Sequence, residues 1–539
     1  MSNINSKLSP RMPWSAFDAT SLAYGANDFL HVIPGENAAP VTLTYREARD
    51  QVDSLSSRLH AAGFAPGHRV ALALDNTAAF FLYFLALNRI GCSIVPINAT
   101  MSREELRYVL AHADISAVFT HSGHVRALGE AVPSNCPLVD IENVAGPFAA
   151  PHGAPSARLD EAALLYTSGT TGTPKGCVLN DSYFRQIGAH YIGLGGYCQF
   201  RMGEERLLTP LPVTHMNALA CSFMAMLLTG GCLIQLDRFH PSSWWRTVRG
   251  SRATCFHYLG VMPAMLLGAP PAAEDDVSSQ VRFAFGAGVD PKHHAAFERR
   301  FGVPLIEAWA MTETGGGAWI TANVDPRHVG ERCFGLPPEG LEWRIVQESG
   351  EDAEHGEPGE LWVRRAGDQP RLGFFDGYYK DEQASAAAWA EGWFHTGDIV
   401  RRGPDGSFFF VDRLKNIIRR SGENIAAVEV ESVLMQSNMI RACAVTAVPD
   451  EMRGEEVFAF VVTKDTGSEA SQADRLQRHC LEHLVYFKAP GYIAFVPDLP
   501  QTASQKVARG EVKRLAAQYL SSGKAIDLRQ GKKRSAQRS

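Results

Sequence analysis

The sequence predicts a multi-domain α/β fold, and three observations carry that reading. The chain has 539 residues, too many for one compact core. Strand-like apolar runs alternate with helix-like ones from Val70 to Leu305, the rhythm of parallel sheets covered by helices. From Gly335 to Val411 that rhythm gives way to short β-rich pieces separated by Gly, Pro and Asp turns. A small antiparallel sheet or barrel is expected there.

Taken in order, the run 70–74 is a strand, 77–89 a helix and Ser93–Pro96 the next strand. Residues 102–113 follow as a helix, with Ser102 as its cap and Glu105 at the capping-box position. Ala117–Thr120 completes the β-α-β-α-β unit. The second α/β unit shows strands at 232–235 and 281–285, and the β-rich unit shows strands at Leu341–Val346 and 360–363. After Arg413 the α/β texture returns, with a helix at 427–436 and strands at 442–448 and 457–463. A domain boundary is expected near Asp412 to Asn416. The last stretch, 531–539, is basic and free of apolar residues, so residues 523–539 are read as a disordered tail.

Composition narrows the function. Hydrophobic residues at 45% and charged residues at 20% are ordinary for a soluble protein. A net charge of −6 argues against a nucleic-acid binder. The ten cysteines form no Cys-x-x-Cys pair and read as buried reduced thiols of a cytoplasmic enzyme. Residues 218–236 carry no charge, but Thr229-Gly230-Gly231 interrupts them, so a buried helix feeding a buried strand is expected in place of a membrane span.

The densest chemical signal is Leu164-Leu165-Tyr166-Thr167-Ser168-Gly169-Thr170-Thr171-Gly172-Thr173-Pro174-Lys175-Gly176. An apolar strand runs into a loop rich in hydroxyls, free N–H groups and glycine, closed by a lysine; all suit phosphate oxygens. It is not the loop of P-loop NTPases, because Gly176 stands where Ser or Thr would ligate magnesium.

This segment resembles the phosphate loop of the adenylate-forming (AMP-binding) superfamily of acyl-CoA synthetases, luciferases and peptide-synthetase adenylation domains. Its other signatures follow in order. Trp309-Ala310-Met311-Thr312-Glu313 resembles the Tyr-Gly-x-Thr-Glu segment, with Trp for Tyr and Ala for Gly. Gly392-Trp393-Phe394-His395-Thr396-Gly397-Asp398 resembles the ribose-binding motif. Asp412-Arg413-Leu414-Lys415-Asn416 and Ser421-Gly422-Glu423-Asn424 resemble the hinge and the loop after it. Pro500-Gln501-Thr502-Ala503-Ser504-Gln505-Lys506-Val507 resembles the C-terminal lysine loop, with Gln505 in place of Gly. In texture the chain is similar to the crotonobetaine/carnitine–CoA ligase and medium-chain acyl-CoA synthetase branch, and so to enzymes of fatty acid metabolism.

The resemblance implies a large N-terminal domain (1–412) of doubly wound α/β subdomains plus a small β-barrel, and a small mobile α+β C-terminal lid domain (413–522). It implies ATP, Mg2+ and coenzyme A, with Lys506, Glu313, Thr170 and His215 as catalytic residues and Glu313 and Thr170 at the metal. Nucleotide contacts fall on Thr167, Ser168, Gly169, Thr170, Thr171, Gly172, Lys175, Gly286, Ala287, Gly288, Glu307, Ala308, Trp309, Thr312, Asp398, Arg413, Lys415 and Gly422. The ring of Trp309 would stack near adenine, Asp398 would accept from the ribose hydroxyls, and Lys415 would be the pivot about which the lid turns. Met216 stands where amino-acid-activating relatives carry an aspartate, which argues against an α-amino acid. The acyl pocket is expected at His215, Met216, Asn217, Ala284, Phe285, Ala308, Ala310 and Gly315 to Gly317, whose small side chains leave room for a bulky acid.

The expected reaction is ATP-dependent acyl-adenylate formation from a small carboxylic acid, then transfer to coenzyme A with release of AMP and pyrophosphate. A carrier-protein phosphopantetheine as acceptor, a luciferase-like reaction with oxygen, a phosphoryl-transfer ATPase and an inactive nucleotide binder are the alternatives. A homodimer is left open.

Overall fold

The structure is a computed structural model that describes residues 13–35, 39–144, 146–167, 174–272, 275–421, 423–464, 467–501 and 507–532. Four sheets organise these residues. The first runs in the order Gly377–Tyr378, Lys175–Asn180, Glu161–Thr167, Ser93–Pro96, Arg69–Ala73, Ala117–Thr120, Leu138–Asp140. Its pairs are parallel from Glu161–Thr167 to Leu138–Asp140. The hairpin that carries Lys175 and the short strand Gly377–Tyr378 are added antiparallel at one edge.

The second sheet has eight strands, with Phe283–Ala287, Cys255–Leu259, Arg206–Thr209 and Cys232–Leu236 parallel at its centre. Leu305–Trp309 continues it, and Ile320–Thr321 closes that edge antiparallel. Near-continuous burial of Arg69–Ala73, Cys232–Leu236 and Phe283–Ala287 explains why these strands read as apolar runs instead of alternating ones.

Local signals hold where chemistry enforces them. Ser102 and Glu105 form both halves of a capping box before the helix Arg103–His112. The uncharged run around 218–236 is a π-helical turn Asn217–Ser222, a buried helix Phe223–Thr229 and the strand Cys232–Leu236. Gly230 makes the turn between them with φ +70, and a Cβ there would meet the Tyr24 ring at 2.5 Å. Among the described residues no helix is long and apolar enough to cross a membrane. Nine cysteines are buried and Cys443 is half-buried, all as free thiols.

The third sheet is antiparallel and follows one path from Cys333–Gly335 through Phe408–Arg413, Trp393–Arg402 and Pro358–Arg365 to Leu341–Val346. The fourth is built on the long hairpin Ile440–Asp450 and Gly454–Thr463, with Tyr492–Phe495 parallel to the latter.

Three expectations need correction. The strand read at 281–285 lies at Phe283–Ala287, because pairing with Cys255–Leu259 begins only at Phe283. Residues 523–532 are not a disordered tail. Ile526–Asp527 pairs with Tyr492–Phe495, Leu528 enters a hydrophobic core, and the buried Lys532 Nζ lies 2.6 Å from Glu456 Oε1. Glu456, also held by Arg420 at 2.9 Å, supplies the buried anion that draws a basic segment inward. Residues 533–539 lie outside the described residues.

The third correction concerns the acyl pocket. Gly315, Gly316 and Gly317 open no space on the side where a side chain would stand. A Cβ would meet the Tyr183 ring at 2.3 Å, the Gln186 backbone at 2.8 Å and the Phe374 ring at 2.3 Å, respectively. Here glycine answers close packing of this turn against the helix Asp181–Ile192 and the segment around Phe374.

Candidate active site

Parallel strands leave their carboxyl ends at one edge, and in open α/β sheets ligands bind there. Leu305–Trp309 ends on Trp309, and the turn that follows carries Thr312 and Glu313. Three bonds fix that turn. The Thr312 carbonyl accepts from Tyr183 Oη at 2.7 Å, Thr314 Oγ1 accepts from the Met311 N–H at 2.9 Å, and the Glu313 carbonyl accepts from the Phe375 N–H at 2.9 Å.

Glu313 is 8% exposed, and its Oε1 accepts from Tyr378 Oη at 2.8 Å. Lys175 Nζ stands 5.0 Å over the same tyrosine ring and 3.2 Å from Asp381 Oδ2. Tyr378 thus joins the turn of one sheet to the lysine on the other. Burial and the Glu313 carboxylate push the Tyr378 phenol far above its ordinary range, so it stays a donor. Thr167 is the register partner of Lys175, so the expected phosphate loop closes this hairpin. Ser168, Gly169, Thr170, Thr171 and Gly172 lie outside the described residues.

Upstream on the same strand, Glu307 is buried. It accepts from Tyr258 Oη at 2.6 Å, from the Gly288 N–H at 3.1 Å and from the Val289 N–H at 3.3 Å. Burial raises its carboxyl pKa. The carboxylate is consumed in shaping the turn after Phe283–Ala287, where Ala287 and Gly288 are exposed and Gly286 packs closely enough that a Cβ would meet the Tyr258 carbonyl at 2.3 Å. Ala308 is partly buried against the main core.

A second cluster forms around Asp398. Trp309 Nε1–H donates to Asp398 Oδ2 at 2.8 Å, and Arg413 Nε lies 2.6 Å from Oδ1. The aspartate is fully buried and burial raises its pKa, with Arg413 opposing the shift. Arg413 itself is 40% exposed. Lys415, two residues on, is exposed within the turn Leu414–Asn416. Asp412 anchors that turn: Oδ1 accepts from Asn416 Nδ2 at 3.1 Å and Oδ2 from the Val428 N–H at 2.9 Å.

His215 is exposed at the start of the π-helical turn, and Met216 packs against the main core. Asn217 turns inward, with Oδ1 2.6 Å from His257 Nδ1; Ser222 Oγ lies 2.9 Å from the same nitrogen and Tyr191 Oη 2.8 Å from Nε2. Burial pushes the His257 pKa down to about 3, which makes this cluster neutral.

Lys506 and Gly422 lie outside the described residues. The segment containing Lys506 is framed by a bridge between Gln501 and Val507. Arg509, just beyond it, is held by Glu431 at 2.5 and 2.8 Å. Sequence reasoning missed Tyr378, Asp381 and His257. Tyr378 sits in a two-residue strand, too short to show a period.

Two α/β sheets meeting an antiparallel one, with acidic and basic side chains gathered at the strand ends, define an enzyme of the adenylate-forming class. Residues 25–379 match the AMP-binding enzyme family and residues 429–506 match the AMP-binding enzyme C-terminal domain. The chain belongs to that family, in its acyl-CoA synthetase branch. A sulfoacetate–CoA ligase of Cupriavidus necator is 32% identical over 487 residues, covering 87% of this chain and 91% of the relative. A crotonobetaine/carnitine–CoA ligase of Escherichia coli is 28% identical over 493 residues, covering 87% and 93%. An o-succinylbenzoate–CoA synthetase of Bacillus subtilis, solved with its acyl-adenylate, shares the fold at TM-score 0.78 and 23% identity, covering 93% and 98%.

Proposed function

We propose that this enzyme converts a small carboxylic acid to its acyl-adenylate with ATP, then to its coenzyme A thioester, within one cleft. The observation that carries the reading is the chain Lys175, Tyr378, Glu313, which places a cation and a carboxylate on one phenol at the end of the strand Leu305–Trp309. That is an arrangement for polyphosphate. The ammonium of Lys175 is the cation that phosphate oxygens would meet, and Thr167, its register partner, begins the hydroxyl-rich segment of the sequence.

Glu313 fits magnesium. It is a hard oxygen donor with Oε1 oriented by Tyr378, leaving Oε2 for a cation that phosphate oxygens also ligate. Bound there with Thr170, the ion would neutralise charge on the departing pyrophosphate. The chain's own residues do the positioning. Asp398 receives the ribose hydroxyls at Oδ1, where the half-exposed Arg413 gives way, while Trp309 holds Oδ2. The adenine lies against the Trp309 side of that pair and the strand end at Gly286 to Gly288.

A carboxylate and ATP repel each other, so adenylation needs a cation between them. We assign that cation to Lys506: the carboxylate oxygen bonds to the α-phosphorus as the bond to pyrophosphate breaks. Thiol attack on the acyl carbonyl then needs the same space. Rotation of the small unit, 413–522, about Lys415 withdraws Lys506 and brings the Gly422 loop in. His215 lies at the acyl entrance. Asn217, the residue after Met216, ties this segment to the buried, neutral His257 cluster.

Pyrophosphate release across a panel of short, branched, aromatic and alicyclic acids, with free coenzyme A as acceptor, tests this reading. AMP, pyrophosphate and an acyl-CoA from at least one acid are expected. ADP as product would exclude it.

A further inference from the structure

Among the described residues, the nucleotide cleft leaves one group of metal-ligating side chains unused. It lies on the helix Glu469–His483, where His479, Glu482 and His483 follow one another at i, i+3 and i+4. That spacing puts all three on one face. A ligating atom of each lies within 4.8 Å of those of the other two, and the imidazole centroids are 4.5 Å apart.

Closeness on an exposed helix face is by itself ordinary; the bonding of the two rings is not. His479 Nε2 lies 3.0 Å from the Val433 carbonyl, and His483 Nδ1 lies 2.8 Å from the His479 carbonyl. A carbonyl only accepts, so each of these nitrogens carries the proton. The lone pairs are left on His479 Nδ1 and His483 Nε2. A neutral imidazole with one N–H tied to a main-chain carbonyl and the other nitrogen open is the outer-shell arrangement of metal-bound histidine. Glu482 adds a carboxylate oxygen on the same face, and the His-x-x-Glu-His spacing serves zinc on helices elsewhere through its two histidines.

We propose that His479, Glu482 and His483 form a binding site for a borderline divalent ion of the zinc class, with water in the remaining positions. Two nitrogens and one oxygen suit zinc or cobalt and not magnesium, which prefers an all-oxygen octahedron. The site sits on the helix that packs against Val433 through His479, so metal ties that helix more firmly to Ala427–Leu434. The inference does not rest on the adenylation reading.

Tag-free full-length protein, stripped with a chelator, is titrated with zinc chloride by calorimetry and with cobalt chloride by visible absorption. One zinc per chain is expected, with visible cobalt bands from nitrogen ligation and no competition from magnesium chloride. His483→Ala should weaken zinc by about tenfold or more and abolish the cobalt bands. Its far-UV dichroism and metal-free melting should stay unchanged, because His483 is exposed. Failure of the wild-type protein to bind zinc overturns the proposal. So does stoichiometric binding that survives unchanged in the His479→Ala/His483→Ala double variant, which would place the metal elsewhere.

Discussion

The indole Nε1–H of Trp309 donates to Asp398 Oδ2 at 2.8 Å, while Arg413 faces the other oxygen from 2.6 Å. The aspartate is fully buried, and its charge is met by an indole from another sheet and by the guanidinium of its register partner on the neighbouring strand. Trp309, which stands where the family carries tyrosine, thus supplies an indole N–H to that carboxylate.

Trp309→Phe keeps an aromatic ring and removes that donor. A hydrogen bond to a buried charge contributes about 1.5–3 kcal/mol, so ATP should bind about tenfold or more weakly. Calorimetric titration with ATP checks this, and a loss confined to acid affinity would count against the link.

Tyr378→Phe leaves Glu313 without its orienting donor and Lys175 over an unchanged ring. Pyrophosphate release should fall by about tenfold, and Glu313→Gln should fall further because it removes the anion itself. Steady-state rates at saturating ATP compare the two.

Asp181 supplies a pH test away from the cleft. It opens the helix Asp181–Ile192 and is 4% exposed, with Asn88 Nδ2 donating to it at 2.9 Å; burial raises its pKa to about 7. The folded state therefore holds this proton more tightly than the unfolded chain. The resulting stabilisation is complete below the ordinary aspartate pKa of about 3.9 and is lost as pH rises through about 7. Asp181→Asn should flatten the fall in melting temperature over that window and melt higher than the wild-type protein at pH 8.

The two half-reactions should separate. Lys506→Ala should abolish adenylation yet form thioester from a preformed acyl-adenylate; Lys415→Pro should do the reverse. Loss of the same half-reaction in both variants would contradict one cleft used twice.

Much of the architecture was legible because its signals are local and chemically enforced. The Ser102–Glu105 capping box and the interruption at Gly230 each fix a segment through neighbours in sequence. The links across the cleft were not legible. Tyr378 reaches Glu313 from 65 residues away, and nothing around a two-residue strand announces where its phenol points. Lys532 misled for the opposite reason: a basic, polar stretch reads as solvated unless the buried acid that receives it, Glu456, is known. The glycines at 315–317 were legible as small but not as crowded, since only the fold shows that Tyr183, Gln186 and Phe374 already fill the space a side chain would need.

The most direct test of the central claim follows oxygen. An acid that supports turnover is labelled with 18O in its carboxylate, and the AMP product is analysed by mass spectrometry. Direct attack of the carboxylate on the α-phosphorus predicts AMP carrying one 18O per turnover. Unlabelled AMP, or ADP with labelled inorganic phosphate, would contradict it.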